Sequence, residues 1–332
     1  MPRPPLPLTV IGGFLGAGKT TLLNRWLREA GGRRLAVLVN DFGAINLDAE
    51  RIASSAGDVI ALTNGCVCCQ IGDDLGAALV RVLDAPQSFD AVVIEASGVS
   101  DPARIGRYGR ATPDLVLDGV IVLVDAAAAA LQAADPLLAD TLQRQVAGAD
   151  VLIVNKTDVA KPVERAATLA WLDRDAPGVP RVETAQADVP LALLSSLGLR
   201  PHVGGASRDR ARPQHEHEHE HEHETDLHPD HGDLFETWSS RPRQRFAPAA
   251  LRALLSHLPA GVLRAKGVLR SAPAGWSELQ VAGRRVTLRP LGDAPTSGAA
   301  VVAIGLRGRL PRAALEAVFA DRPSAAVEDE DA

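Results

Sequence analysis

Eight residues near the start of the chain constrain its fold more than anything else in it: Gly13-Phe14-Leu15-Gly16-Ala17-Gly18-Lys19-Thr20. They fit the pattern G-x-x-x-x-G-K-[ST] in full. An apolar run, Leu8–Gly12, precedes them, and a helix-like segment, Lys19–Glu29, follows. A loop of this kind works only between the end of a strand and the start of a helix. There its glycines let backbone N–H groups curl around phosphate oxygens, and the helix N-terminus adds partial positive charge. The chain must therefore supply a strand, a tight Gly-rich turn and a helix in that order. Gly13, Gly16, Ala17, Gly18, Lys19, Thr20 and Thr21 are the expected nucleotide contacts. Lys19 is expected to reach the β- and γ-phosphates, and the Thr20 hydroxyl to bind Mg²⁺.

The rest of the first 200 residues agrees with this demand. Apolar runs Leu35–Asn40, Ala91–Ala96, Gly119–Asp125 and Val151–Asn155 alternate with helix-like segments Asp73–Leu83, Pro136–Ala147 and Pro162–Arg174. Several runs are apolar throughout, as strands buried on both faces of a parallel sheet are. The pattern predicts an α/β class fold with a doubly wound, mostly parallel sheet. Composition shifts near Gly204. Residues 204–233 are rich in Arg, His, Glu and Pro and nearly empty of apolar residues, so they read as a flexible linker. Beyond it, strands are expected at Leu234–Trp238, Val262–Leu269, Glu278–Leu291 and Ala299–Leu306, with helices at Pro248–Leu258 and Pro311–Phe319. That is a second, smaller α+β domain. The expected division is 1–203, 204–233, 234–325 and an acidic tail at 326–332.

Charge and cysteine usage exclude several functions. The net charge is −6, which argues against broad binding to nucleic acid or an anionic membrane. The longest apolar region, Val116–Leu138, is interrupted by Asp118, Asp125 and Asp135, so no membrane span is expected. The apolar start lacks a basic leader and runs into the Gly-rich turn, so it reads as a strand and the setting as cytoplasmic. All 3 cysteines lie between Cys66 and Cys69, which is no disulfide framework.

A second motif, Asn155-Lys156-Thr157-Asp158, follows a predicted strand. The Asp158 carboxylate can accept from guanine N1–H and its 2-amino group, neither of which adenine offers. Asn155 is expected at the base edge and the Lys156 stem over the ring, with Glu183-Thr184-Ala185 nearby. GTP is the expected nucleotide. For catalysis the candidates are Lys19, Asp41 and Glu95. Glu95 ends the strand Ala91–Ala96, where it can hold Mg²⁺ or polarise the attacking water, and Asp41 ends another. The two roles stay open between them.

The cysteine run Gly65-Cys66-Val67-Cys68-Cys69 precedes a helix expected near Asp73. Thiolates near a helix N-terminus have lowered pKa and ligate metals better. Two or three soft thiolates suit Zn²⁺, with Cu(I) and Co²⁺ as alternatives; a closed tetrahedral site needs a fourth ligand. The site is then open or completed from elsewhere, as suits a protein that releases its metal. In the linker, His215, His217, His219, His221 and His223 alternate with glutamates. They either collect metal loosely or form a solvated spacer.

Together these motifs resemble the CobW family of P-loop GTPases, relatives of the urease and hydrogenase maturation GTPases. The resemblance rests on Gly12–Thr20, Val39-Asn40-Asp41-Phe42-Gly43, Asn64–Cys69, Glu95-Ala96-Ser97-Gly98, Asn155–Asp158 and, in the smaller domain, Arg264-Ala265-Lys266-Gly267. It covers nearly the whole chain, and histidine-rich linkers are common in that family. It implies that Cys66, Cys68 and Cys69 bind metal, and that GTP hydrolysis is coupled to delivery of the metal to a metal-requiring client protein; metal identity varies across the family, and zinc is the first expectation from the thiolates. Cobalt handling for cobalamin synthesis is one alternative, and a metal buffer or sensor with nucleotide in a structural role is another. A homodimer is compatible with either. One departure stands out. Many members carry a second acidic residue after the Phe-Gly pair, and this chain has Ala44.

Overall fold

A computed structural model of the chain describes residues 5–30, 32–39, 57–61, 71–85, 89–191, 195, 235–258, 261–292 and 298–320, with backbone alone for 57–61 and 71–74. Asp41, Ala44, the three cysteines and the His-Glu run lie outside the described residues.

The first unit runs β1 (Leu6–Gly13), α1 (Lys19–Glu29), β2 (Leu35–Val39), β3 (Gly57–Ala61), α2 (Ile71–Leu83), β4 (Ala91–Glu95), α3 (Pro102–Ala111), β5 (Leu115–Asp125), α4 (Ala129–Ala134), α5 (Ala139–Ala147), β6 (Val151–Asn155), α6 (Pro162–Asp175) and β7 (Arg181–Glu183). Its strands form one sheet of order β3-β2-β4-β1-β5-β6-β7, and every pairing is parallel. Parallel register explains the apolar runs. Val10 and Leu38 pack on one face with α2, α3, α5 and α6, while Ile11, Val37 and Val39 pack on the other with Leu22, Leu23, Trp26 and Leu27 of α1. Successive strand residues point to opposite faces, so both faces need cover. Leu22 and Leu23 are fully buried, and each such leucine stabilises the fold by about 1.5–3 kcal/mol.

Three helices differ from the sequence expectation, one of them the short α4, which has no expected counterpart. Pro136–Ala147 is not one helix. Asp135 accepts the Leu137 N–H at 2.9 Å in a turn, and α5 begins only at Ala139. Helix α3 is absent from the predicted set, although its start signal is present. Asp101 caps it by accepting from Ala103 N and Arg104 N, and Pro102 occupies its first turn.

The second unit is an antiparallel sheet with two helices: β8 (Phe235–Ser240), β9 (Arg245–Phe246), α7 (Pro248–Ser256), β10 (Val262–Ser271), β11 (Trp276–Ala282), β12 (Arg285–Leu291), β13 (Ala300–Leu306) and α8 (Arg312–Phe319). The sheet order is β12-β11-β10-β13-β8, with the short β9 beside β10. The strand expected over Glu278–Leu291 is a hairpin, because Ala282 pairs Arg285 across the two-residue turn Gly283-Arg284. Gly283 has φ +50, the left-handed backbone that such turns require.

This second unit docks on the edge of the parallel sheet where β5 and β6 begin. The Gly283 turn abuts the Asp150 carbonyl, where a side chain would collide. Arg285 Nε donates to Asp150 Oδ2 at 2.8 Å. Arg264 pairs with Asp118 and also donates to the Asp118 carbonyl at 3.1 Å. Asp118 is the extra residue of a bulge in β5, where Leu117 pairs Leu8 but Gly119 pairs Thr9. The bulge re-aims the side chain out of the strand's regular alternation. Burial pulls the Arg264 guanidinium down to about 9, still protonated at neutral pH. Leu263 and Ile304 join the α1-side core, so the two units share one apolar cluster. No helix among the described residues is long and apolar enough to cross a membrane.

Candidate nucleotide site

Parallel strands end on a common edge, and ligands bind such sheets at their carboxyl ends. Here that edge presents Gly13, Glu95, Asp125, Asn155 and Glu183.

The loop after β1 is shaped by close approach. Gly13, at φ +129, lies against the Leu123 backbone, and a Cβ there would meet its carbonyl. Gly18, at φ +105, is the N-cap of α1 and provides no side-chain cap. The first N–H groups of α1 are thus left for phosphate oxygens. Any Cβ on Gly18 would fill the space held by the Asn155 amide. Lys19 is 8% exposed, and its ammonium donates to Gly13 O at 3.0 Å and Phe14 O at 3.2 Å, which holds it over the loop.

Thr20 Oγ1 donates to Glu95 Oε1 at 2.9 Å. Glu95 is buried at the end of β4, paired with Ile11 on one side and Val39 on the other. A hydroxyl and a carboxylate oxygen this close match the hard oxygen ligands that Mg²⁺ takes alongside a nucleotide. After Glu95 the chain passes Ser97 and Ser100, whose hydroxyls share a 2.6 Å hydrogen bond. Gly98 sits against Leu15 of the phosphate loop, with Leu15 Cδ2 at 2.5 Å from where its Cβ would lie.

The base loop is tied to the phosphate loop. Asn155 Nδ2 donates to Ala17 O at 2.9 Å, and its Oδ1 accepts from Ala187 N at 2.7 Å. Both polar atoms of Asn155 are therefore engaged in joining loops, whereas the motif alone suggests a contact with the base edge. Lys156 adopts φ +65, and its ammonium lies 2.7 Å from Asp125 Oδ2. Asp158 is exposed beside them. The Thr184 carbonyl accepts from Thr157 N at 3.2 Å, so the segment after β7 borders the same loop. Asp125 is not singled out by the sequence pattern. Its signal is an acid closing an apolar strand, and its Oδ1 also accepts from Ala127 N at 2.9 Å.

Residues 7–180 match the family model for the CobW/HypB/UreG nucleotide-binding domain. The chain belongs to the CobW/HypB/UreG family. Residues 235–322 match the cobalamin synthesis protein cobW C-terminal domain, so the second sheet accompanies the nucleotide-binding domain as the CobW resemblance implies. Among curated relatives, the zinc chaperone YjiA of Escherichia coli is 41% identical over 169 residues, 48% of this chain and 52% of that protein. The zinc chaperone CobW of a Sinorhizobium species is 30% identical over 226 residues, 58% and 63% of the two chains. The zinc-regulated GTPase metalloprotein activator 1 of Schizosaccharomyces pombe is 34% identical over 168 residues, 47% and 40%. These matches span less than two thirds of each CobW-family relative. Among solved structures, Zn(II)-bound YjiA GTPase from E. coli aligns over 96% of this chain and 99% of that one, at TM-score 0.44 and 24% identity.

Proposed function

We propose that this CobW-family chain binds GTP, hydrolyses it, and uses the nucleotide state to govern binding and delivery of Zn²⁺ to a metal-requiring client. In this reading the phosphate loop cradles the triphosphate and Lys19 turns to its β- and γ-oxygens. Thr20 and Glu95 hold Mg²⁺, which neutralises charge on the phosphates when bound. Asp158 selects guanine. Glu95 and Asp41 share the remaining task of orienting water. Cys66, Cys68 and Cys69 are the tight metal site, and His215, His217, His219, His221 and His223 supply metal to it. The setting is the cytoplasm, where thiols stay reduced.

The observation that carries the reading is strand register. Val39 pairs with Glu95 on one side and with Ala61 on the other. The chain that leads to the cysteines thus leaves the sheet two strands from the carboxylate bonded to Thr20, about 10 Å away at ~4.8 Å per strand. A change at the phosphates has a short way to travel. The names of the relatives, zinc chaperones and a zinc-regulated GTPase activator, support the choice of zinc.

The test is a metal competition titration with GTP, with GDP and without nucleotide, run with Zn²⁺ and Co²⁺. One tight zinc site is expected. It should differ in affinity between the two nucleotide forms, survive deletion of residues 214–231 and vanish in Cys66→Ser. Equal affinities in all three nucleotide states would remove the coupling. Loss of most bound metal with the deletion would favour a buffer, and tighter Co²⁺ than Zn²⁺ would favour cobalt handling.

A further inference from the structure

Helix α5 carries a buried glutamine whose amide faces the Glu95 loop. Gln145 is 1% exposed. Its Nε2 donates to Gly98 O at 3.1 Å and to Ser100 O at 2.9 Å. Two carbonyl acceptors fix which end of the amide is nitrogen, because an oxygen there would face two oxygens. Both N–H groups are therefore spent on the one loop that follows Glu95. The same loop is anchored in β4 at one end, where Ala96 N donates to Ile11 O at 2.8 Å. At the other end it runs into α3 through the Asp101 cap. Between those anchors, the Ser97–Ser100 pair and Gln145 are the side-chain ties the structure gives it.

The C-terminus of α5, in the same turn as Gln145, is held from the second domain. Arg284, in the hairpin turn between β11 and β12, donates to Ala147 O at 3.1 Å and Ala149 O at 3.5 Å. Arg285 grips Asp150, which in turn accepts from Val120 N at 2.7 Å. Only Val146 separates Gln145 from Ala147, so the guanidinium and the buried amide hold one turn of helix. Gly148, just past that turn, allows α5 to pack on α3, where a Cβ would lie 2.7 Å from Ala103.

We propose that Gln145 is a positioning residue for GTP hydrolysis, and that the Arg284–Arg285 hairpin sets the helix that carries it, so that seating of the C-terminal domain tunes the Glu95 loop. The inference rests on the hydrolysis reading above. Gln145 bonds the backbone carbonyls of Gly98 and Ser100. It acts by holding the backbone whose conformation fixes how far Glu95 and Thr20 sit from the phosphates, and displacements of about 1 Å in such groups cost on the order of 10²-fold in rate. Fixing the loop in advance also removes the ordering cost from the chemical step.

The experiment compares the full chain with Gln145→Met, Gln145→Glu and Arg284→Ala. It measures GTP turnover, GDP affinity with a fluorescent nucleotide, and thermal unfolding. Methionine keeps the length and removes the donors. Glutamate replaces them with a carboxylate facing two carbonyls. For both, kcat is expected to fall about tenfold or more while KM and GDP affinity change less than about twofold, since an interaction realised only in the transition state lowers kcat. Arg284 is exposed, so its truncation tests the link without opening the core. Its kcat should fall by about two- to fivefold, and Arg284→Ala added to Gln145→Met should cost little more than Gln145→Met alone. Unchanged kcat in Gln145→Met overturns the proposal. So does a parallel loss of GDP affinity, KM and melting temperature, which marks a merely structural side chain. Additive losses in the double variant overturn the link to the hairpin. A wild-type chain that hydrolyses no GTP overturns the reading beneath the proposal, an outcome distinct from an active wild type with an equally active Gln145→Met.

Discussion

Replacing Arg264 by methionine removes one half of a fully enclosed ion pair. Arg264 and Asp118 are each 2% exposed, and the guanidinium contacts both the carboxylate and the carbonyl of the same residue. With Arg264 gone, the Ser195 hydroxyl still approaches Asp118, but at 3.4 Å it is too long to replace a charged donor. Two unit charges about 4 Å apart attract by about 4 kcal/mol at an effective dielectric of about 20. Breaking a buried pair from one side costs about 3–5 kcal/mol, because the remaining charge is stranded. Arg264→Met is therefore expected to lose about 3–5 kcal/mol in urea unfolding at neutral pH. Trp26 and Trp171 report on the first domain, and Trp238 and Trp276 on the second. Because Arg264 bridges the two, the second domain should unfold at lower urea than the first in the variant. Adding Asp118→Leu should restore most of the loss, since apolar replacement of both partners is often neutral or stabilising. A loss under about 1 kcal/mol, the range of surface pairs, refutes the reasoning. So does a double variant whose losses simply add.

Three further outcomes follow, the first from the proposed function and the others from contacts in the structure. On the proposed reading that Asp158 faces guanine, Asp158→Asn turns a donor toward the donors of the base, so GTP affinity should fall on the order of 10⁴-fold, with partial recovery on a nucleotide whose base bears a carbonyl in place of the 2-amino group; fluorescent-nucleotide titration measures both. Gly283→Ala places a Cβ against the Asp150 carbonyl at positive φ, so it should cost more than about 1 kcal/mol by urea unfolding, with the loss confined to docking of the second domain. Hydrogen bonding from Arg312 first, and then the Gly308 and Leu310 N–H groups, holds the Glu236 carboxyl below its ordinary 4.5. That contribution is fully present above 4.5 and is lost as pH falls through the lower folded value. The stability advantage of wild type over Glu236→Gln should therefore hold above pH 4.5 and shrink as pH is lowered further.

The parts legible in the sequence are those whose chemistry is local. Gly13–Thr20 and Asn155–Asp158 work through backbone and side chains a few residues apart, so their spacing alone declares them. Apolar runs such as Ala91–Glu95 announce strands for the same reason. What the sequence hides is partnership across space. Gln145 reads as an ordinary polar residue on an amphipathic helix until Gly98 and Ser100 are brought to it. Asp125 and Asp118 read as charges interrupting an apolar stretch, while in the structure one steadies Lys156 and the other anchors a domain. The Gly283 turn was visible as a glycine, yet Glu278–Leu291 has strand-forming residues on both sides of it. Only antiparallel pairing of Ala282 with Arg285 divides it. Asn155 shows the limit from the other direction. Its motif is legible, but its place between Ala17 and Ala187 depends on two loops far apart in the chain.

Strand order has a consequence for synthesis. The central strand β1 is flanked by β4 and β5, which begin only at Ala91 and Leu115. At about 5–20 residues per second, β1 waits about 5–20 s before both neighbours exist. Until β4 is made, Leu8, Val10 and Ile11 have no native edge to join, so the growing chain presents an apolar strand that must be kept from wrong partners. The face under α1 waits longer still. Leu263 and Ile304, which help close it, are among the last core residues made, and the nucleotide-binding domain reaches its finished state only after the domain that follows it has been translated.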